Sequence, residues 1–179
     1  MHAFVDIETS NLNADFGEVL CAVIKPERGK LVVFRADEYT GSSTDLGMLV
    51  DLRTALEEYV DGGVWVTWYG KRFDIPFLDA RLLFHHERPI RKAMHEDLFY
   101  IAKFRLVLSS RRLDSVARHL QTKTQKTRLE PRLWLSALRV EKGAMDEVVE
   151  HCKLDVKVLS EVYEKLKPYI DTLRRKHAV

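Results

Sequence analysis

The chain has 179 residues, 46% hydrophobic and 31% charged, so it is long enough for one domain with a buried core, which we expect over residues 1–179. Its net charge of +2 is too small to indicate nucleic-acid binding by itself. Cys21 and Cys152 lack a CxxC or zinc-type spacing and indicate neither a disulfide scaffold nor a zinc site. With no leader-like N-terminus and no apolar stretch approaching roughly 18 residues, the sequence predicts a cytoplasmic protein without a membrane partner.

Alternating apolar and polar residues, typical of β-strands, mark three stretches in the first third of the chain: residues 2–8, 18–26 and 30–36. Short polar loops join them, which predicts an antiparallel meander. Residues 43–60 take helical spacing, and residues 62–69 return to a β-rich run, so this crossover favours a parallel fourth strand. After Asp74 the chain is mostly helical, with one short strand expected near residues 93–97. The predicted fold class is α/β, with a mixed sheet.

The first strand carries two acidic residues in the stretch FVDIETSNL, residues 4–12. Side chains alternate along a strand, so Asp6 and Glu8 share a face with Phe4 and lie close together. Two carboxylates on a buried strand repel each other and are costly to remove from water, which a metal ion or a shared proton relieves. The alternative is an edge strand on which both acids meet water, and the stretch alone does not decide between them.

The predicted last helix, near residues 144–170, carries a histidine and an aspartate inside its apolar stripe. At about 100° per residue, the following side chains fall within an arc of about 100°: Val148, His151, Asp155, Val158, Leu159, Val162 and Leu166. Polar residues at core-facing positions need partners, and His151 and Asp155 project side by side from successive turns. They form either a structural pair or part of a functional site.

Asp74 is a third acidic candidate, in the stretch WYGKRFDIPFL between the fourth strand and a helix. An aspartate at this boundary is also a favoured N-cap, and Pro76 fits a first helical turn. A functional role for Asp74 therefore depends on whether it meets the other acidic residues.

Three segments together resemble the exonuclease motifs of the DEDD superfamily of 3′–5′ exonucleases: FVDIETSNL, YGKRFDIPFL and HCKLDVKVL. The superfamily includes bacterial ribonuclease-H-like exonucleases and the proofreading domains of family B DNA polymerases. The resemblance implies a ribonuclease-H-like fold, with a mixed five-stranded sheet flanked by helices. It also implies two Mg²⁺ or Mn²⁺ ions held by Asp6, Glu8, Asp74 and Asp155, with His151 positioning or deprotonating the attacking water.

Two positions depart from the pattern of this superfamily. Its members carry either a histidine with four intervening residues before the last aspartate or a tyrosine with three, whereas His151 is a histidine at the tyrosine spacing. The second motif often has asparagine where this chain has Tyr69, just before Gly70. Neither change removes a metal carboxylate.

A basic segment accompanies these motifs, since residues 109–132 contain seven basic and two acidic residues. Such runs are often solvated surface, but beside a carboxylate site they suit a polyanion, here single-stranded DNA or RNA. The expected substrate contacts are Thr9, Phe73, Arg111, Arg112, Lys123, Lys126 and Arg128. Tyr69 and Phe77 are further candidates for base stacking.

The activity that the resemblance implies is release of nucleoside monophosphates from a 3′ end, with DNA repair as an expected role. Two alternatives stay open at this stage. One is a metal-dependent endonuclease on structured nucleic acid, and the other is a nucleic-acid-binding module without turnover.

Overall fold

The computed structural model describes residues 1–39, 45–124, 130, 133, 136–137, 139 and 141–176, without the side chains of residues 142 and 171–176. The described strands are β1 (His2–Thr9), β2 (Val19–Pro26), β3 (Val32–Arg35), β4 (Val64–Thr67) and β5 (Met94–Asp97). The described helices are α1 (Leu46–Glu57), α2 (Asp74–Phe84), α3 (Leu98–Arg105), α4 (Leu113–His119) and α5 (Lys142–Lys176), and a 3-10 turn spans Ala36–Glu38.

β1 lies at the centre of a five-stranded mixed sheet with the order β3-β2-β1-β4-β5. It pairs antiparallel with β2, and β2 pairs antiparallel with β3, which confirms the predicted meander. On its other side β1 runs parallel to β4, and β4 runs parallel to β5, the short strand expected near residues 93–97. The carboxyl ends of β1, β4 and β5 therefore meet at one edge of the sheet, which we call the carboxyl edge.

Strand side chains alternate between two apolar layers, and β1 contributes to both. The β1 residues buried in the layer with α1 and α2 are Ala3, Val5 and Ile7. Phe4 faces the opposite layer, which α3, α4 and α5 close. Asp6 and Glu8 follow Phe4 on this second face and are partly buried there. Because β1 is central, the edge-strand alternative for these two acids is wrong.

α5 lies along the sheet antiparallel to β1. In its first half, Cys152 contacts Asp6, and further along the Tyr163 hydroxyl lies 3.0 Å from Nε2 of His2. The predicted stripe of α5 is buried, as its residues show: Val148, His151, Asp155, Val158, Leu159, Val162 and Leu166. Across the part of the chain that the structure describes, no helix combines the length and the apolar run needed to cross a membrane.

Candidate active site

Three side chains converge where the end of β1 meets α5. Nε2 of His151 lies 3.7 Å from Oε1 of Glu8 and 3.9 Å from Oδ2 of Asp155. One nitrogen or oxygen atom from each of these residues lies within 4.8 Å of the other two. His151 and Asp155 are only 7% and 3% exposed, because the apolar stripe of α5 carries them into the protein. The first and third sequence motifs therefore meet in space.

Asp6 lies two residues before Glu8 and contacts α5 through a thiol. Cys152 donates hydrogen bonds to the carboxylate and to the backbone carbonyl of Asp6, with both sulfur–oxygen distances 3.4 Å. Burial and the adjacent Cys21 thiol raise the pKa of Cys152, and the charges of Asp6 and Glu8 act in the same direction. The thiol therefore stays protonated, and as a donor it holds the Asp6 carboxylate toward α5.

Asp74 reaches β1 from the first turn of α2. β4 pairs with only the first half of β1, and beyond that pairing Asp74 accepts a hydrogen bond from the backbone of Ile7. Burial raises the pKa of Asp74 to about 7, and the nearby charge of Asp97 adds to this effect. Phe73 occupies the N-cap position and Asp74 is the first helical residue, so the N-cap alternative for Asp74 is wrong.

The five predicted site residues therefore lie along the second half of β1. Glu8, His151 and Asp155 form the tight group, and Asp6 and Asp74 lie outside that group. Asp6 is joined to α5 by Cys152, and Asp74 is joined to the β1 backbone.

A family model described as the RNase_H superfamily matches residues 3–167, a range that contains every residue of the site. The chain belongs to the RNase_H superfamily. This membership supports a nuclease activity on nucleic acid in general terms. No curated protein matches the chain significantly.

Among solved structures, 226 chains match this chain significantly. One is the family B DNA polymerase from the hyperthermophilic archaeon Pyrobaculum calidifontis, with a TM-score of 0.75 and 19% identity over 94% of this chain. The match covers 24% of the polymerase chain, so this protein spans about a quarter of its length. At such low identity the likeness shows the fold alone, and it confirms the predicted ribonuclease-H-like α/β architecture.

RNase_H superfamily nucleases generally use divalent metal ions, and the donor set at the end of β1 fits such an ion. Metal–oxygen distances of about 2.0–2.6 Å place opposite ligands of one ion up to about 5 Å apart. The 4.8 Å limit that encloses Glu8, His151 and Asp155 lies within that span. Carboxylate oxygens are the ligands that Mg²⁺ and Mn²⁺ prefer, so Glu8 and Asp155 are the members of this group that fit such an ion, and Nε2 of His151 lies beside them.

Two of the predicted substrate contacts are engaged within the protein. Thr9 is 9% exposed, and its hydroxyl donates to the carbonyl of Asn11 at 2.8 Å. Phe73 is partly buried and packs on Phe77, with 5.6 Å between the ring centroids. Phe77 is buried in the layer with α1 and α2, so it is not available for base stacking.

The predicted basic contacts separate in space. Arg111 and Arg112 are exposed in the segment that leads into α4. The backbone N–H of Lys123 donates to the Glu161 carboxylate at 2.6 Å, ten residues beyond His151 on α5 and toward the start of β1. Lys123 therefore lies near the opposite end of β1 from Glu8. Lys126 and Arg128 lie outside the described residues.

Asp97, a carboxylate that belongs to none of the three sequence motifs, organises the loop between β4 and α2. Its oxygens accept backbone hydrogen bonds from Tyr69 at 2.8 Å, from Lys71 at 3.0 Å and from Phe99 at 3.2 Å. Tyr69 has a left-handed φ of 67°, and Gly70 leaves no room for a side chain, since an added Cβ would lie 2.6 Å from the end of β4. The sequence contains one signal for this role: Asp97 stands between a predicted strand and a predicted helix, where an aspartate is a favoured N-cap.

Proposed function

We propose that this chain is a two-metal-ion-dependent 3′–5′ exonuclease that hydrolyses single-stranded DNA or RNA and releases nucleoside monophosphates. The observation that carries the proposal is the convergence of Glu8, His151 and Asp155 at the end of the central strand. Asp6 and Asp74 add two carboxylates along the same half of β1. Membership of the RNase_H superfamily supports the hydrolysis of nucleic acid.

The five residues of the site divide between two tasks in this proposal. The residues that would hold the ions are Asp6, Glu8, Asp74 and Asp155. Bound Mg²⁺ or Mn²⁺ supplies electrostatic stabilisation of the attacking and leaving oxygens of a phosphodiester. His151 accepts the proton of the attacking water at Nε2, the nitrogen that faces the two carboxylates of the tight group. As the water oxygen bonds to phosphorus, the bond from phosphorus to the 3′-oxygen of the preceding nucleotide breaks, and that oxygen takes a proton from solvent to become the new 3′-hydroxyl.

Arg111 and Arg112 remain the best placed of the predicted phosphate contacts. They precede α4, which packs with α5 in the layer that faces Asp6 and Glu8. Lys123 lies toward the other end of β1, so we do not include it among the contacts near the scissile bond. A role in DNA repair and a cytoplasmic location stay predictions.

Labelled oligonucleotides test the activity directly. DNA and RNA 20-mers labelled at the 5′ or the 3′ end are incubated with Mg²⁺ or Mn²⁺ and the wild-type chain. We expect 5′-labelled strands to shorten one nucleotide at a time and 3′-labelled strands to release a labelled mononucleotide in the first turnover. Glu8→Gln removes one carboxylate charge and is expected to be inactive.

Glu150→Gln provides a matched control, because Glu150 precedes His151 on α5 but is exposed and pairs with Lys153 at 2.6 Å. It should retain wild-type activity. Internal cuts would instead identify an endonuclease, and binding without cleavage would identify a non-catalytic module. Full activity of Glu8→Gln would overturn the assignment of the site.

A further inference from the structure

A row of aromatic rings lies at the carboxyl edge, outside the proposed metal site. Tyr69 follows β4, and α3, which follows β5, adds Phe99, Tyr100 and Phe104. The ring centroids of Tyr69 and Tyr100 are 6.3 Å apart, and those of Tyr100 and Phe104 are 6.4 Å apart with the planes inclined by 22°. Because Tyr100 and Phe104 are one helical turn apart, their rings lie on one face of α3.

Two of these rings are exposed to solvent. Phe104 is 73% exposed and Tyr69 is 42% exposed, and Phe99 lies between Tyr69 and Tyr100 at 4.7 and 5.2 Å from their centroids. An apolar surface of several neighbouring rings marks an interaction site more often than scattered single residues do. The row is therefore a surface available to a flat, apolar ligand.

The exposed charges on the two segments that carry the row are of one sign, whereas the carboxylate of Asp97, at the same junction, is buried and accepts hydrogen bonds from the backbone of Tyr69, Lys71 and Phe99. Lys71, Arg72, Lys103 and Arg105 are all exposed, and the segments that carry them, residues 69–72 and 98–105, contain no acidic residue. Nζ of Lys103 lies 5.4 Å from the centroid of the Phe104 ring. A single-stranded nucleic acid carries flat apolar bases and negatively charged phosphates. The rings of this surface can stack on the bases, and its cations can bind the phosphates.

The row lies at the same end of the sheet as Glu8. β1, β4 and β5 are parallel neighbours, so Tyr69 and the start of α3 lie at the same edge of the sheet as the end of β1. Leu98 and Ala102 place α3 in the same apolar layer as α5. A strand that lies on the rings can therefore continue along this edge toward the tight group of Glu8, His151 and Asp155.

We propose that Tyr69, Tyr100 and Phe104 form a base-stacking platform for the single-stranded nucleic acid upstream of the scissile bond. The neighbouring cations Lys71, Arg72, Lys103 and Arg105 contact its phosphates. The proposal relies on the proposed function for the scissile bond, whereas the stacking itself is a binding property that exists without turnover.

Fluorescence anisotropy with a labelled dT20 strand in EDTA tests the platform, because no cleavage occurs while the affinity is measured. The double variant Tyr100→Leu/Phe104→Leu keeps apolar side chains but removes two rings, and we expect it to bind dT20 at least about tenfold more weakly. Phe104→Leu alone has little effect on folding because Phe104 is largely exposed, and it should weaken binding severalfold. Tyr169→Leu, an exposed ring on α5, should bind like the wild type.

A strand of abasic residues with the same phosphates separates stacking from charge. It should bind more weakly than dT20 to the wild type and equally to the wild type and the double variant. If the double variant lost the same factor of affinity for dT20 and for the abasic strand, stacking would be overturned. An unchanged affinity of both variants for dT20 would also overturn it. A wild-type dimer in sedimentation that the double variant dissociates would show that a second copy covers the rings, and this too would overturn the proposal.

Cleavage of a dinucleotide in Mn²⁺ distinguishes the platform from the proposed function. We expect a dinucleotide to occupy the site without contacting Tyr100 or Phe104, so the double variant should cleave it at the wild-type rate. If the wild type binds dT20 through the rings but cleaves neither substrate, the proposed function fails and the platform stands. If the dinucleotide is cleaved but the affinity for dT20 does not depend on the rings, the platform fails and the proposed function stands.

Discussion

Asp74→Asn is expected to stabilise the metal-free protein at alkaline pH. Asp74 is 4% exposed, and burial with the neighbouring Asp97 charge raises its pKa to about 7 from an ordinary 3.8. In EDTA its ionised form is therefore disfavoured in the folded chain and favoured in the unfolded chain. Asparagine keeps an oxygen that accepts the hydrogen bond from Ile7 and carries no charge at any pH.

The sign and size of the effect follow from proton linkage. Between pH 5 and 7 the folded chain holds a proton at Asp74 that the unfolded chain has lost, so rising pH lowers the stability of the wild type. At 1.36 kcal/mol per pH unit, these two units cost on the order of 3 kcal/mol, and the loss levels off above about pH 7. The free energy of unfolding of Asp74→Asn relative to the wild type should therefore rise by about 3 kcal/mol from pH 5 to pH 8.

Urea unfolding of both proteins in EDTA at pH 5 and pH 8 measures this difference, because all other titrating groups are common to them. Asp61→Asn, which removes an exposed carboxylate, serves as the control and should change stability by less than about 0.5 kcal/mol at either pH. A relative stability of Asp74→Asn that is equal at the two pH values, or lower at pH 8, would refute the reasoning. With Mn²⁺ the order should reverse if Asp74 holds an ion as proposed, because bound Mn²⁺ then stabilises the wild type more than the variant.

Three further predictions concern the site, the packing and the substrate path. Glu8→Gln should abolish Mn²⁺ binding in calorimetry and lower the nuclease rate at least about 100-fold, because a bound ion supplies several kcal/mol of charge stabilisation. An unchanged Mn²⁺ affinity would contradict this prediction. Arg81→Met should lower the free energy of unfolding, measured in urea, by about 3 kcal/mol or more. The variant removes two hydrogen bonds of 2.9 Å from the Arg81 guanidinium to the fully buried Asp45 carboxylate, and a loss below about 1 kcal/mol would contradict this reasoning. Arg111→Ala/Arg112→Ala should reduce the slope of log affinity against log salt for dT20 by about 1.4, and an unchanged slope would exclude both as phosphate contacts.

The local periodicities of the sequence were sufficient to predict the individual strands and the last helix. Alternation in β1 predicted that Asp6 and Glu8 share one face, and the apolar stripe of α5 predicted that His151 and Asp155 point inward. Both patterns depend on residues within a few positions of each other, so they can be read without knowledge of the tertiary structure. Glu8, His151 and Asp155 do lie together in the structure.

Contacts between distant segments could not be predicted in the same way. The Cys152 thiol lies against Asp6 because α5 is antiparallel to β1, and no local pattern contains this relation. The charge of Asp97 raises the pKa of Asp74, although the two residues belong to different strand-to-helix junctions. The parallel pairing of β4 and β5 brings these junctions together. Lys123 looked like part of one basic segment with its neighbours, but the turn after α4 carries it toward the start of β1.

The central place of β1 has a consequence for hydrogen exchange. The amide of Ile7 faces Asp74, so by strand alternation the amides of Asp6 and Glu8 point toward β2, which β3 covers in turn. We expect those protons to exchange more slowly than the amides at the exposed end of α3, because β2 and β3 cover them. Mild heating or low denaturant should therefore loosen the proposed platform on α3 before it disturbs the proposed metal site.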